Sequence, residues 1–113
     1  MSRDTLFLIA PGFSDPKHAG QTFVCPHCNA IEGLLASFPE LASRLDIHRV
    51  PFPRPRARVI DAVGEDNQSL PVLLLGSNPP TDAESWKGKS FVSGTSRILD
   101  LLAERHGFPR LHD

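Results

Sequence analysis

The sequence predicts an α/β domain: a mixed four-stranded sheet with flanking helices, in the order β-α-β-α-β-β-α. Three observations carry this. Two short apolar runs, residues 5–9 and 71–75, are bounded by proline or glycine, the pattern of strands buried on both faces. Apolar residues recur at helical spacing at Ile31, Leu34, Leu35 and Phe38, and again at Ile98, Leu101 and Leu102. A helix separates the first strand from the second, which makes that pair parallel.

The first strand, residues 5–9, stops at Pro11-Gly12. Residues 11–24 hold two prolines and two glycines and read as a loop. Cys25-Pro26-His27-Cys28 follows. Pro26 suits a first helical position, where a missing N–H costs nothing. The helix meets a break or kink at Pro39, and residues 40–45 add a further turn. Residues 46–52 alternate weakly and read as the second strand, closed by Pro51, Pro53 and Pro55. Val59, Ile60 and Val63 mark a short helix with Gly64 as its C-terminal cap. Residues 71–75 form the third strand, and proline is tolerated there at the strand's first position. Residues 76–90 read as a loop, with Trp86 as a packing residue in it. Phe91-Val92 form a short fourth strand, antiparallel to the third because no helix joins them. Thr95 or Ser96 caps the last helix, which Gly107 ends. No repeat or low-complexity linker is visible, so residues 1–113 form one domain.

Hydrophobic residues make up 40 % of the chain, enough for a core, which argues against disorder. A net charge of -1 supplies no electrostatic reason for a nucleic-acid partner. No apolar run approaches the roughly 20 residues of a membrane span. Residues 6–10 are too few for the core of a signal peptide. The expectation is a mature chain starting near Met1, cytoplasmic, with no membrane or nucleic-acid partner.

The chain has two cysteines, Cys25 and Cys28. A disulfide across so short a loop contributes only about 2 kcal/mol by loop-closure entropy. In a reducing compartment such a pair is more often chemical than structural. The thiolate is the nucleophile of disulfide exchange, and a free thiol titrates near about 8.5. Cys25, at the first helical turn, sits where unpaired N–H groups and the helix dipole favour an anion. Cys28 lies one turn deeper. Cys25 is therefore expected to attack and Cys28 to resolve the mixed disulfide. A protonated His27 would stabilise the Cys25 thiolate further, making the disulfide comparatively oxidising. Two cysteines one turn apart are also half of a zinc site. His18, His48, His106 and His112 show no spacing that completes it, so no metal ligand is assigned. A site or iron–sulfur cluster shared between two chains stays open as an alternative, as does a pair of inert thiols.

Cys25-Pro26-His27-Cys28 between strand and helix, Leu70-Pro71 opening the third strand, and Val92-Ser93-Gly94-Thr95-Ser96 leading into the last helix together resemble the thioredoxin superfamily, in a glutaredoxin-like variant. The likeness spans nearly the whole chain. The chain is also similar to a small bacterial family of thioredoxin-like proteins with no assigned function. The quartet itself is the one found in periplasmic disulfide-forming enzymes. The resemblance implies a cis bond at Pro71, facing the cysteines, with the Leu70 backbone free to pair with substrate. From residues alone, Pro71 is equally a proline that ends a turn, since only about 5 % of X–Pro bonds are cis. The resemblance also implies that Gly94, Thr95 and Ser96 hold the γ-glutamyl carboxylate of glutathione, although transferases show Glu-Ser where this chain has Thr95-Ser96. The plainer reading of these three is an ordinary helix cap.

Arg54, Arg56 and Arg58 follow the second strand. They bind an acidic substrate or the glutathione glycyl carboxylate, or they form a solvated cluster near Asp61 and Glu65. Lys17 and His18 either overhang the site or are plain loop residues. The chain departs from the family in four ways. The loop before Cys25 is longer than in glutaredoxins. The lysine they carry before the motif is absent, and Lys17 is the nearest. Val24 stands where thioredoxin has tryptophan. The first strand offers no acidic proton acceptor.

The functional expectation is a thiol–disulfide oxidoreductase acting on protein or glutathione mixed disulfides. It binds no cofactor, with glutathione as a candidate co-substrate. The alternatives are a non-catalytic glutathione- or anion-binding module and a protein that binds metal or an iron–sulfur cluster through the pair.

Overall fold

Successive side chains of a strand point to opposite faces, so Leu6, Phe7, Leu8 and Ile9 are all buried only if both faces of their strand are covered. They are all buried, because β1 (Thr5–Ile9) runs through the interior of the sheet. The computed structural model describes residues 3–112; the expected start of the chain near Met1 lies outside them. β1 pairs in parallel with β2 (Asp46–Val50) and antiparallel with β3 (Val72–Leu75). β3 pairs antiparallel with β5 (Lys89–Ser93), and β5 with β4 (Glu84–Trp86). The sheet order is β2-β1-β3-β5-β4.

Four helices flank this sheet: α1 (Pro26–Ser37), α2 (Pro39–Ala42), α3 (Ala57–Val63) and α4 (Thr95–His106). Register places them on both faces. Leu8 is opposite Arg49, whose guanidinium pairs with Glu32 of α1. Phe7 is opposite His48, whose ring stacks on Phe7 and meets Arg58 of α3. α1 therefore lies over one face of the β1–β2 pair and α3 over the other. Ile31, Leu34 and Leu35 of α1 and Ile98, Leu101 and Leu102 of α4 are buried in one core with β1, β3 and β5. Burying side chains of this size contributes roughly 1.5–3 kcal/mol each.

The mixed sheet and the flanking helices agree with expectation; the count of four strands does not. The fifth strand, β4, lies in residues 76–90, which sequence patterning reads as a loop. Its Glu-Ser-Trp has no apolar alternation because it is an edge strand, with Glu84 and Ser85 exposed. It turns into β5 through Lys87 (φ +47°) and Gly88 (φ +78°), a two-residue hairpin with both central residues left-handed. Lysine in that position hides the turn from composition. β5 consequently starts at Lys89, ahead of Phe91. β2 ends at Val50, short of Phe52.

Phe38 precedes Pro39 and leaves the helical region (φ -129°, ψ 66°), which separates α1 from α2. α3 ends at Gly64 (φ +94°). α4 begins after Gly94 rather than under a hydroxyl cap: Thr95 and Ser96 are its first two residues and neither side chain caps it. Gly107 closes α4 in the left-handed region (φ +76°), its N–H reaching the Ala103 carbonyl.

Candidate active site

The site is built where the parallel strands end. Beyond β1 the Ala10 N–H still reaches the Val50 carbonyl at 2.8 Å. The following loop is closed by Phe13 and Phe23, whose backbones exchange hydrogen bonds of 3.1 and 2.8 Å. The Phe13 ring stacks on Phe52, after β2, with centroids 4.2 Å apart and planes within 6°. This fixes the chain two residues before Cys25 against the chain that leaves β2.

Cys25 is the N-cap of α1, in extended backbone (φ -71°, ψ 119°), as a residue before proline prefers. Pro26 occupies the first helical position. The Cys25 carbonyl accepts from the N–H groups of Cys28 (3.2 Å) and Asn29 (3.1 Å), so the pair spans one closed turn. Both thiols are free. Cys25 is 6 % exposed and Cys28 2 %. The expected order of burial holds, but Cys25 is far less open than a surface nucleophile. Both residues line a cavity of about 250 Å³, together with Ile9, Val24, Glu32 and Arg49.

Burial pushes the Cys28 thiol up to about 12; the neighbouring Cys25 thiol and the Glu32 carboxylate add to this, and a hydrogen bond from the Ile9 backbone only partly offsets it. Glu32 sits one turn beyond Cys28 and is held by Arg49 through two hydrogen bonds of 2.7 and 2.9 Å. Sequence reading missed both residues. The signal was available, because Glu32 falls four residues after Cys28 and so shares its helix face.

On the other side of the helix start, His27, Leu70, Pro71, Gly94 and Thr95 line a groove of about 190 Å³. The Leu70–Pro71 peptide is cis. The Leu70 backbone makes no hydrogen bond among the described residues. The Thr95 hydroxyl donates to the His27 carbonyl at 2.7 Å, tying the start of α4 to the first turn of α1. Ser96 is exposed and outside the groove. His27 is also exposed and faces this groove rather than the cavity of the cysteines.

The three arginines after β2 diverge, and no ion pair with Asp61 or Glu65 forms. Arg54 is exposed and donates to the Ser69 hydroxyl at 3.1 Å, on the rim of the groove. Arg58 donates to His48 Nδ1 at 2.8 Å. Arg56 turns inward. Its Nε and Nη2 donate to the Phe52 carbonyl (3.1 and 2.7 Å) and its Nη1 to the Gln68 carbonyl (2.7 Å). Arg56 and Arg58 line a further cavity of about 530 Å³ along β2. Lys17 and His18 form a short 3-10 turn and line neither the cysteine cavity nor the groove. Trp86 lies on β4 and packs on Gly64. No group of three or more His, Cys, Asp or Glu is placed to hold a metal among the described residues.

No helix of the described residues is long and apolar enough to cross a membrane. No curated protein and no solved structure matches the chain. A family model does match, over residues 3–110, and its description is "Protein of unknown function (DUF3088)". That span covers nearly the whole chain, including Cys25, Cys28 and the Leu70–Pro71 bond, and the chain belongs to the DUF3088 family.

Proposed function

We propose that the chain is a thioredoxin-like thiol–disulfide oxidoreductase in which Cys25 attacks and Cys28 resolves. The observation that carries this reading is the Cys25–Cys28 turn at the start of α1, both thiols free and opening into one cavity. The cis Leu70–Pro71 bond and the unpaired Leu70 backbone, in the groove beside His27, support it further. So does the path of the chain, which leads from a buried strand into the cysteine-bearing helix and on to a parallel neighbour.

The chemistry follows from the two environments. Cys28, pushed up to about 12, stays protonated at neutral pH. Cys25, at the N-cap of α1 and the less buried of the two, is the thiol assigned as the nucleophile. The Cys25 thiolate attacks one sulfur of a substrate disulfide. A Cys25–substrate bond forms and the other sulfur leaves as thiolate. Cys28 then passes its proton to the departed substrate thiolate and attacks the Cys25 sulfur. The intramolecular disulfide forms and the second substrate sulfur leaves; the substrate gains two electrons and the pair loses two. Protein disulfides and glutathione mixed disulfides are the substrate classes. Leu70 offers backbone hydrogen bonds to either, and Arg54 on the rim offers a cation to an acidic flank.

The test is a reductase assay on a glutathione mixed disulfide with single-cysteine variants. Cys25→Ser is expected to abolish turnover. Cys28→Ser is expected to stop after one half-reaction and accumulate a mixed disulfide visible by mass spectrometry. Full activity in Cys25→Ser would overturn the reading.

A further inference from the structure

The cavity along β2, about 530 Å³, is lined by three arginines and a histidine (Arg49, Arg56, Arg58 and His48) and by no Asp or Glu. Glu32 answers Arg49. Neither Arg56 nor Arg58 has a carboxylate partner among the described residues. Arg56 is also buried, only 7 % exposed. A guanidinium keeps its proton in proteins, and burying its charge without an anion is strongly unfavourable. The other buried charge, Asp4, has Arg105 on it at 2.7 and 2.8 Å. Arg49 and Arg105, each hydrogen-bonded to a carboxylate, hold their protons more tightly than a free arginine. Burial, and after it the like charge of Arg54, loosen the hold of Arg56, and the thiol charges offset only part of this.

The donors of these residues are not used up. Of the five N–H groups of Arg56, Nε and Nη2 each give one to the Phe52 carbonyl and Nη1 gives one to the Gln68 carbonyl. One N–H is left on each terminal nitrogen. Arg58 donates from Nη1 to His48 Nδ1 at 2.8 Å. A guanidinium only donates, so Nδ1 accepts and the ring proton of His48 sits on Nε2 as a further donor. Stacking on Phe7, with centroids 5.5 Å apart, holds that ring in place. Pro51, Pro53 and Pro55 add apolar surface to the same cavity.

We propose that this cavity is a phosphate-binding site, with Arg56 and Arg58 as its counter-charges and His48 as a neutral donor. Two guanidinium groups without anions supply two positive charges. A phosphomonoester carries about 1.5 to 2 negative charges near neutral pH, whereas a carboxylate carries a single one. Guanidinium groups also match the fork geometry of phosphate oxygens. The volume falls in the range of small-molecule sites, roughly 300–1,000 Å³, so room remains for an organic body against the prolines. The ligand class is a small phosphomonoester or phosphate itself. β2 is an edge strand, so no further strand covers the cavity. A peptide strand added to that edge would run on past Pro51, Pro53 and Pro55, none of which has an N–H to pair, and this favours a small molecule. The site is separate from the thiol chemistry: it shares only Arg49 with the cysteine cavity and no residue with the cis-proline groove. It stands whether or not the cysteine pair turns over.

The test is a calorimetric titration of the full chain at neutral pH with phenyl phosphate, inorganic phosphate and benzoate, the His48 ring being followed by NMR. Phenyl phosphate is expected to bind once per chain and to shift the His48 resonances. Arg58→Gln, at an exposed position, is expected to weaken that binding about tenfold through the loss of one charge-assisted contact. Arg58→Lys, which keeps the charge, is expected to restore part of it. Arg56→Met is expected to lose binding altogether; should it not fold, the Arg58 variants carry the test alone. Tighter binding of phenyl phosphate than of inorganic phosphate supports the site and assigns it to an ester. Equal affinities support it and assign it to the free ion. Benzoate bound as tightly as phenyl phosphate would overturn the choice of phosphate. Heat that does not saturate by about 10 mM phenyl phosphate would overturn the site itself. So would an affinity unmoved in folded Arg58→Gln, which would move the anion elsewhere, for example to the cavity lined by Arg3, Arg44 and Arg105.

Discussion

Cys28 and Asp4 are both buried ionisable groups, and their surroundings push them in opposite senses. For Cys28, burial dominates and the proton is held. For Asp4, 3 % exposed, burial alone would raise the carboxyl, yet hydrogen bonds from Arg105, the Gly76 N–H and His106 outweigh it and hold it below its ordinary value of 3.8. A depressed acid contributes stability that is present above its unfolded value and lost as pH falls through its folded one. The domain is therefore expected to lose stability on acidification below about pH 4. Asp4→Asn is expected to flatten that acid limb. At neutral pH it strands Arg105 and costs about 3 kcal/mol, a fall in Tm on the order of 15 °C. Thermal unfolding across pH 2–7 checks both; an unchanged acid limb in the variant would contradict the assignment. Neither Asp4 nor Arg56 stands out as buried in the sequence. Asp4 abuts a strand like any surface acid, and Arg56 is one of three arginines at alternate positions. Which of them turns inward is decided by the carbonyls of Phe52 and Gln68, and those are brought together only by the fold.

At the level of elements, two contacts hold the sheet and helices in register. The Thr95 hydroxyl joins α4 to α1 across the groove. On the far edge, α3 ends where Trp86 of β4 lies flat on Gly64. A Cβ added there would meet Trp86 Nε1 at 2.7 Å, and the backbone has φ +94°, a region that side chains avoid. Gly64→Ala is expected to cost about 2 kcal/mol, as strain and clash combine. It should also shift the emission of Trp86, the single tryptophan of the chain. Unchanged emission and stability would show that the β4 edge does not pack on α3. Elements with strong local signals were legible beforehand: the two apolar strand runs, the helix after Pro26, and the helix closed by Gly107. β4 was not, since a three-residue edge strand needs no apolar face and its left-handed turn uses Lys87 in place of Asn or Asp. Thr95 and Ser96 stand at a helix start, the place of a cap, yet neither side chain caps α4 and the Thr95 hydroxyl serves α1.

For the whole molecule, the two buried charge systems lie at opposite ends of β1. Asp4 precedes the strand, with its partners Arg105 and His106 from the end of α4. The cysteine turn, the cis-proline groove and Arg56 gather beyond the other end. The Asp4 cluster and the proposed thiol chemistry are thus spatially separate, and changes at Asp4 should leave the alkylation of Cys25 as it is. The element order and the quartet made this candidate site visible from the sequence. Its finer division into a cysteine cavity and a proline groove on two sides of one helix start was not, because spacing along a chain does not say which face of a turn each side chain takes. The most direct test is equilibration of the full chain in graded mixtures of reduced and oxidised glutathione, quenched with acid and weighed intact. The account predicts one reversible two-electron transition, seen as the loss of two hydrogens and absent in Cys25→Ser. A pair that stays dithiol under every ratio, or oxidises without returning, would contradict it.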